Sequence, residues 1–233
     1  MRGPPGGGSR RARTILGGRP ACIGVTCPRG VDAALYAAVV PTVAFYGDSI
    51  VTGWRGISRT ENRWSTIVAK RLGWGALHFA IDGVGFVRRR GIDRSDDGAT
   101  LGLLSDVLAS GADACVVALG VNDSVIVLGR EDDVRAAIAR DLEALHGRFP
   151  SGRLAVLDLY SPYGTDYPPG WRAVRRILDE ETRRVGLSLV PGLATAINRS
   201  PALLCSDGVH PNDRGHAALA AAVEPQLHSV LST

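Results

Sequence analysis

The stretch from Ala114 to Asp123 reads ACVVALGVND, and it decides the fold class. Its first six residues are all apolar, and Gly120 follows them directly. A continuous apolar run of this length is typical of a parallel strand that helices cover on both faces of its sheet. We therefore predict a central strand at Ala114–Leu119 and a turn at Gly120.

On both sides of this strand, short apolar runs alternate with longer segments of helical periodicity. Further strands are predicted at Thr42–Tyr46, Ala76–Ile81, Leu154–Leu159 and Leu187–Val190. Helices are predicted at Glu61–Leu72, Thr100–Leu108, Glu131–Phe149 and Gly170–Val185, and from about Asn212 onward with a kink or break at Pro225. This alternation predicts an α/β fold, a three-layer α/β/α sandwich of flavodoxin-like type with a central, mostly parallel sheet. Ligands of such sheets bind beyond the carboxyl ends of the strands.

The charge distribution separates the N-terminal segment from the rest of the 233-residue chain. Residues 1–40 carry six arginines and one acid, Asp32, which gives this segment a charge of +5. The remaining residues together carry a charge of −1, and the net charge of the chain is +4. A nucleic-acid-binding face on the main body is therefore not expected. Because this segment is rich in Arg, Gly and Pro and lacks apolar periodicity, we expect residues 1–40 to be disordered and residues 41–233 to form one domain.

Other sequence features give no sign of a membrane or metal protein. The apolar run Ala33–Phe45 is too short to span a bilayer and contains Pro41, so no membrane span is predicted. The four cysteines, at positions 22, 27, 115 and 205, lack the spacing of a metal site, and no metal or other cofactor is expected. A cytoplasmic location is the default expectation; export, and with it a disulfide between Cys22 and Cys27, stays open.

Two polar motifs contain the residues of a hydrolytic triad. Ser49, in Tyr46-Gly47-Asp48-Ser49-Ile50, comes directly after a predicted strand and so lies on the rim of the sheet. In Asp207-Gly208-Val209-His210, a histidine that can accept the serine proton follows three residues after a carboxylate that can orient its ring. Taken alone, each motif is more typical of an ordinary polar loop than of a catalytic site.

A second Asp-x-x-His pair competes with the first. Asp213 and His216 repeat the spacing, but His216 already lies inside the predicted closing helix, where packing fixes its direction. We therefore prefer Asp207 and His210, which lie in the loop before that helix.

Two further loops could supply hydrogen-bond donors to an oxyanion. Asn122 follows the central strand, and its side-chain amide can donate. The loop Asp82-Gly83-Val84-Gly85 follows the second predicted strand, and a glycine there can present its backbone N–H. An Asn-Asp turn and a plain glycine loop are the alternatives.

Together these four motifs, in this order and at these strand ends, resemble the four sequence blocks of the SGNH/GDSL hydrolase superfamily, from about Thr42 to the C-terminus. The resemblance implies an SGNH hydrolase domain in which Ser49 is the nucleophile, His210 the base and Asp207 the orienting acid. It also implies that Ser49 N–H, Asn122 and a glycine bind the oxyanion; Gly83 is our choice and Gly85 the alternative. Ile50 replaces the usual leucine of Gly-Asp-Ser-Leu, which leaves the chemistry intact.

The predicted activity is hydrolysis of small carboxylic esters, with acetyl or short acyl groups preferred, through an acyl-enzyme on Ser49. An acyltransferase or a thioesterase with the same triad is the alternative, and a catalytically silent binding domain is a third hypothesis. The arginine-rich composition indicates a GC-rich bacterial genome, and oligomeric state leaves no signal. Arg88-Arg89-Arg90 either bind an anionic part of a substrate or form a solvated turn. Residues 160–171 form either a wall of the acyl pocket or an inert loop.

Overall fold

A computed structural model describes residues 40–90 and 102–231 of the chain. Its centre is one sheet of five parallel strands in the order β2-β1-β3-β4-β5. The strands are β1 (Thr42–Gly47), β2 (Gly75–Ala80), β3 (Ala114–Ala118), β4 (Leu154–Leu157) and β5 (Leu189–Val190). The α-helices are α1 (Ser49–Thr52), α2 (Trp64–Leu72), α3 (Leu103–Ala109), α4 (Glu131–Arg148), α5 (Pro169–Arg184) and α6 (Asp213–Val230). Short 3-10 turns lie at Thr60–Asn62, Val121–Val125 and Pro201–Leu203.

The strand order fixes the layers of the domain. The chain passes from β1 to β2 in one direction along the sheet, and from β2 through β3 and β4 to β5 in the other. Because such crossovers are right-handed, α2 lies on one face of the sheet and α3, α4 and α5 lie on the other. Helix α6 packs against α2 and completes the first layer, while α4 packs against α5 in the second. The predicted α/β/α sandwich is confirmed.

The central strand is buried along its whole length, as the apolar run ACVVAL predicts. It lies between β1 and β4, with Val43 opposite Ala114 and Val116 opposite Ala155. Each apolar side chain removed from water contributes roughly 1.5–3 kcal/mol for a residue of valine size or larger. Burial on both faces of β3 therefore holds the two helical layers together.

Several element ends differ from the prediction. The helix expected from Glu61 begins at Trp64, because Arg63 has an extended backbone (φ −59°, ψ 134°) that separates it from the preceding 3-10 turn. The helix expected at Thr100–Leu108 is observed as α3, and residues 100 and 101 lie outside the described part of the chain. The expected break at Pro225 is wrong, since α6 continues through it to Val230.

The last two strands are shorter than the apolar pattern predicts. Strand β4 ends at Leu157 instead of Leu159, and β5 contains only Leu189 and Val190. The backbone N–H of Asp158 donates to the carbonyl of Val190 at 2.8 Å, which is the last bond across this edge. The residues that follow β4 lie at the rim of the sheet, where Tyr160 is close to Ser49.

The tribasic segment forms a turn that is only partly solvated: Arg88 and Arg89 are partly exposed, whereas Arg90 points into the protein. Its side chain is 5% exposed and pairs with the fully buried Asp141 of α4 at 3.2 Å. The hydroxyl of Tyr46 on β1 donates to the same carboxylate at 2.7 Å and also accepts from Arg90. This cluster connects β1 with α4. Removing one of its charged members would leave the other buried without a partner, which is strongly destabilising.

Some of the sequence expectations lie outside the described residues. These are the disordered segment, of which residues 1–39 are not described, and the Cys22–Cys27 pair. Within residues 40–90 and 102–231, Cys115 and Cys205 are free thiols. None of the helices described here is both long and apolar enough to cross a bilayer.

Candidate active site

Ser49 lies at the first residue of α1, immediately beyond the carboxyl end of β1. The helix begins there because the Asp48 carboxylate caps it and accepts the backbone N–H of Ile50 at 2.9 Å. The turn is tight: a Cβ on Gly47 would lie 2.6 Å from the carbonyl oxygen of Ala118, so only glycine fits. The serine is 6% exposed and faces the rim of the sheet.

His210 and Asp207 reach Ser49 from the loop before α6. The His210 Nε2 atom is 3.0 Å from Ser49 Oγ, and its Nδ1 atom is 2.8 Å from Asp207 Oδ2. An Nδ1–H that donates to the carboxylate leaves Nε2 as the acceptor for the serine hydroxyl. The structure thus brings together the three residues that the two motifs contain.

The loop itself holds Asp207 in its ionised form. Partial burial opposes ionisation, but the backbone N–H groups of His210 and Val209 both donate to Oδ1 at 2.9 Å. These bonds, together with the His210 ring, lower the pKa of Asp207 to about 2. The carboxylate can therefore stabilise a positive imidazole throughout the neutral range.

The second Asp-x-x-His pair lies elsewhere. His216 is 1% exposed inside α6, and its Nδ1 accepts the backbone N–H of Trp64 at 3.3 Å. Burial lowers the pKa of His216 to about 4. Asp213 accepts the backbone N–H of Ser58 at 2.9 Å and also binds its hydroxyl. Their contacts fix the start of α6 to the loop before α2.

Asn122 lies in the 3-10 turn that follows β3. Its Nδ2 atom donates to the carbonyl of Val84 at 2.9 Å and to Asp48 Oδ2 at 3.3 Å. It lines a cavity of about 290 Å³ together with Ser49, Gly83 and His210. The amide nitrogen, the serine and the imidazole are therefore neighbours, although they come from three distant parts of the chain.

The two candidate glycines have different surroundings. Gly83 lines the cavity and has φ +76°, a left-handed backbone that glycine adopts without strain. Gly85 does not line it; a Cβ there would lie 2.4 Å from the Asp123 carboxylate. Asp123 in turn accepts the backbone N–H groups of three successive residues, Phe86, Val87 and Arg88. Gly85 is thus a close-packing position beneath the loop.

Three side chains to which the sequence assigns no catalytic role also line the 290 Å³ cavity: Trp54, Asp82 and Arg89. The Trp54 ring lies 4.5 Å from the His210 ring between centroids. Asp82 accepts the Thr52 hydroxyl at 2.5 Å, and Arg89 Nη1 donates to the Asp82 carbonyl at 2.9 Å. Trp54 gives no sequence signal beyond its place near the nucleophile, whereas Arg89 belongs to the tribasic segment considered above.

A smaller pocket of about 80 Å³ shares Ser49, Asn122 and His210 with this cavity. Apart from Ser124, its other walls are apolar or aromatic and are formed by Ile50, Val121, Val125, Tyr160, Trp171 and Val209. Tyr160 donates its hydroxyl to the Val209 carbonyl at 2.5 Å, and Trp171 Nε1 donates to the Tyr160 carbonyl at 3.1 Å. Two aromatic residues of the segment 160–171 therefore form a wall beside the serine.

Asp48 is the least expected member of this site. Its side chain is buried beside Ser49, and burial raises the pKa of Asp48 to about 7, with further contributions from Asp123 and Asp82. Its bond to the Ile50 N–H makes it the cap of α1. Its contact with Asn122 spans 74 positions and has no sequence signature.

Comparison with known proteins gives a consistent set of relatives. Residues 45–218 match the model of the GDSL-like Lipase/Acylhydrolase family. The protein named GDSL lipase Rv0518, from Mycobacterium tuberculosis, is 28% identical over 206 residues, which cover 86% of this chain and 87% of that protein.

Solved structures share the fold at lower identity. The psychrotrophic esterase EstA from Pseudoalteromonas sp., in a structure inhibited by monoethylphosphonate, superposes with a TM-score of 0.60 at 15% identity, covering 81% of this chain and 97% of that one. The salicylyl-acyltransferase SsfX3 from a tetracycline biosynthetic pathway superposes with a TM-score of 0.60 at 19% identity, covering 82% of this chain and 55% of that one.

Proposed function

The chain belongs to the GDSL-like lipase/acylhydrolase family and is a hydrolase, and we propose that it cleaves small carboxylic esters through an acyl-enzyme on Ser49. The observation that carries this proposal is the continuous line of contacts from Ser49 Oγ to His210 Nε2 at 3.0 Å and from His210 Nδ1 to Asp207 at 2.8 Å. A serine hydroxyl needs such a base before it can attack a carbonyl.

In the first step, Ser49 Oγ attacks the ester carbonyl while His210 Nε2 takes the hydroxyl proton. Asp207 stabilises the resulting imidazolium and keeps Nδ1 protonated. His210 then gives the proton to the departing alcohol oxygen, which leaves the acyl group on Ser49. Water repeats the sequence: His210 takes its proton, the hydroxide attacks the acyl carbon, and the acid leaves as Ser49 recovers its proton.

The carbonyl oxygen becomes negative in each tetrahedral intermediate. We assign its stabilisation to three donors, the backbone N–H groups of Ser49 and Gly83 and the Nδ2 amide of Asn122. Gly83 and Asn122 line the same cavity as Ser49, which supports this assignment, whereas Gly85 packs against Asp123. Donors that are already oriented cost no reorganisation when the charge develops.

The 80 Å³ apolar pocket supports a short acyl group. A cavity needs about 10–15 Å³ of such space to hold one water molecule, so this pocket accommodates roughly five to eight heavy atoms, the size of a short acyl group. Trp171 closes it on one side, and its indole is fixed by the Tyr160 carbonyl and by an edge contact with Tyr163. The larger and more polar cavity that Ser49 also lines then takes the alcohol part.

Two measurements test this function. A fluorophosphonate probe should label the wild-type protein and not Ser49→Ala, and p-nitrophenyl esters should be hydrolysed fastest with acyl chains of two to four carbons. Trp171→Ala should shift the preference toward longer chains by opening the pocket. Labelling that persists in Ser49→Ala, or equal rates for acetyl and dodecanoyl esters, would refute the proposal.

Acyl transfer to an alcohol is the second candidate function. The open cavity of about 290 Å³ beside Ser49 favours it, because an acceptor larger than water has access to an acyl-enzyme. Adding a small alcohol during p-nitrophenyl acetate turnover discriminates the two. A hydrolase yields acetate almost alone, whereas a transferase yields the new ester at an alcohol concentration far below that of water.

A further inference from the structure

The contact between Asp48 and Asn122 connects a buried carboxylate with one of the proposed oxyanion donors. The role that we infer for Asp48 rests on the proposed function. We infer that Asp48 is a positioning residue that fixes the orientation of the Asn122 amide, so that its nitrogen and not its oxygen faces the site of the oxyanion.

Two acceptors surround the Asn122 nitrogen. The Val84 carbonyl lies 2.9 Å from Nδ2, and Asp48 Oδ2 lies 3.3 Å from it. If the amide were rotated by half a turn, its oxygen would face the Val84 carbonyl and the ionised Asp48 carboxylate, and it would form a hydrogen bond with neither. A buried polar group without its partner costs about 1–3 kcal/mol, so the rotated state is disfavoured.

The Asp48 carboxylate divides its two oxygens between two tasks. Oδ1 accepts the Ile50 N–H at 2.9 Å and caps α1, the helix that begins with Ser49. Oδ2 faces Asn122, in the turn after β3. One buried carboxylate therefore connects the element that carries the nucleophile with the element that carries the side-chain donor.

The longer of the two Asn122 bonds is the one to Asp48. At 3.3 Å it is weaker than the 2.9 Å bond to Val84, so an oxyanion can compete for that hydrogen without breaking the better bond. Asp48 thus orients the amide in the free protein. When negative charge develops on the substrate, the oxyanion shares the Nδ2 hydrogen that Asp48 accepts.

Asp48→Asn and Asp48→Ser separate the two tasks. Asparagine keeps an oxygen for Ile50 but places an NH₂ group against Asn122 Nδ2, and serine keeps a helix cap but is too short to reach Asn122. Both variants should lower kcat by roughly 10- to 100-fold, part of the effect of losing one oxyanion donor, while KM changes less than about threefold. The serine variant keeps the test valid if asparagine prevents folding.

A double-mutant cycle decides between positioning and a merely structural role. In an Asn122→Ala background, where no amide remains to be oriented, the Asp48 substitutions should lower kcat less than about twofold. Asp82→Asn, in the same cavity but bonded to Thr52, is the control and should act independently of Asn122→Ala. Equal losses from the Asp48 substitutions in both backgrounds would overturn the inference. Residual activity that survives Ser49→Ala would instead refute the proposed function.

Discussion

Single side chains in this site act through one or two atoms, and Asn122 is the simplest case. Its side chain lines the same cavity as Ser49, and Nδ2 is the one donor atom of that side chain. Asn122→Ala should reduce kcat by about 10²–10³-fold with a smaller change in KM, because the donor acts mainly on the transition state. Steady-state kinetics with p-nitrophenyl acetate measure both constants. A change in KM alone would mean that Asn122 only shapes the cavity.

The two glycines of the loop after β2 give a contrasting pair of substitutions. Gly85→Ala brings a methyl group to 2.4 Å from Asp123, whose carboxylate holds three backbone N–H groups. We expect it to lower the free energy of unfolding by roughly 1–3 kcal/mol, as overpacking does.

Gly83→Ala is the matched control. The added methyl group meets only the Arg89 side chain, 3.3 Å from Nη1, and the variant bears mainly the strain of a positive φ, about 1 kcal/mol. Thermal unfolding of the two variants compares them directly. A larger drop in Tm for Gly83→Ala than for Gly85→Ala would show that the close packing of Gly85 is not the controlling contact.

At the scale of elements, the buried His216 of α6 makes the free energy of unfolding depend on pH. Burial lowers the pKa of His216 to about 4, whereas an unfolded histidine titrates near 6.5. Between these values the unfolded chain takes up a proton that the folded chain refuses, so the free energy of unfolding falls as pH falls from 6.5 to 4. The full effect of one such group is at most about 3 kcal/mol.

His216→Asn should remove this part of the acid sensitivity. Asparagine keeps an acceptor for the Trp64 N–H but does not titrate, so the decrease in Tm between pH 7 and pH 4.5 should be smaller than in the wild-type protein. His228→Asn, on an exposed position of the same helix, should leave that decrease unchanged. The kcat of His216→Asn should stay within about tenfold of wild type, whereas His210→Ala removes the base. A loss of activity equal to that of His210→Ala would contradict this separation.

Elements with a strong apolar period could be predicted from the sequence, and their ends could not. Strand β3 and helix α4 follow the pattern closely. Burial of β3 on both faces requires a continuous apolar run, and burial of α4 along one stripe requires apolar residues at helical spacing. The start of α2 depends on the backbone of Arg63, and β4 ends where the Asp158 side chain, paired with Arg175 of α5, accepts the Leu159 N–H. Such ends are decided by tertiary contacts that have no local signal.

For the whole molecule, the strand order explains how the loops that carry Ser49, Gly83 and Asn122 meet, and the loop before α6 brings His210 to them. Strand β1 lies between β2 and β3, so the loops after these three strands share one rim. This convergence could be predicted from the motifs at the strand ends. The Asp48–Asn122 contact, the Trp54–His210 contact and the sizes of the two pockets could not, because they depend on side-chain packing between distant segments.

The described core and all the assigned site residues lie after residue 40. We therefore expect deletion of residues 1–30 to leave kcat/KM for a small ester and the Tm of the main unfolding transition unchanged. The full-length protein, prepared in parallel, is the comparison. A truncated protein that is insoluble or inactive would show that this segment contributes to the folded domain.

The Trp54 ring lies 4.5 Å from the His210 ring between centroids, so the fluorescence of Trp54 should report on the charge of His210. A protonated imidazole quenches indole emission more strongly than a neutral one, so the ultraviolet fluorescence of Trp54 should dim as His210 takes up a proton. The chain has four tryptophans, and the difference between wild type and Trp54→Phe isolates this one. With His210→Ala the pH-dependent difference should vanish. The protein therefore carries its own optical probe of proton transfer, readable during turnover without a label.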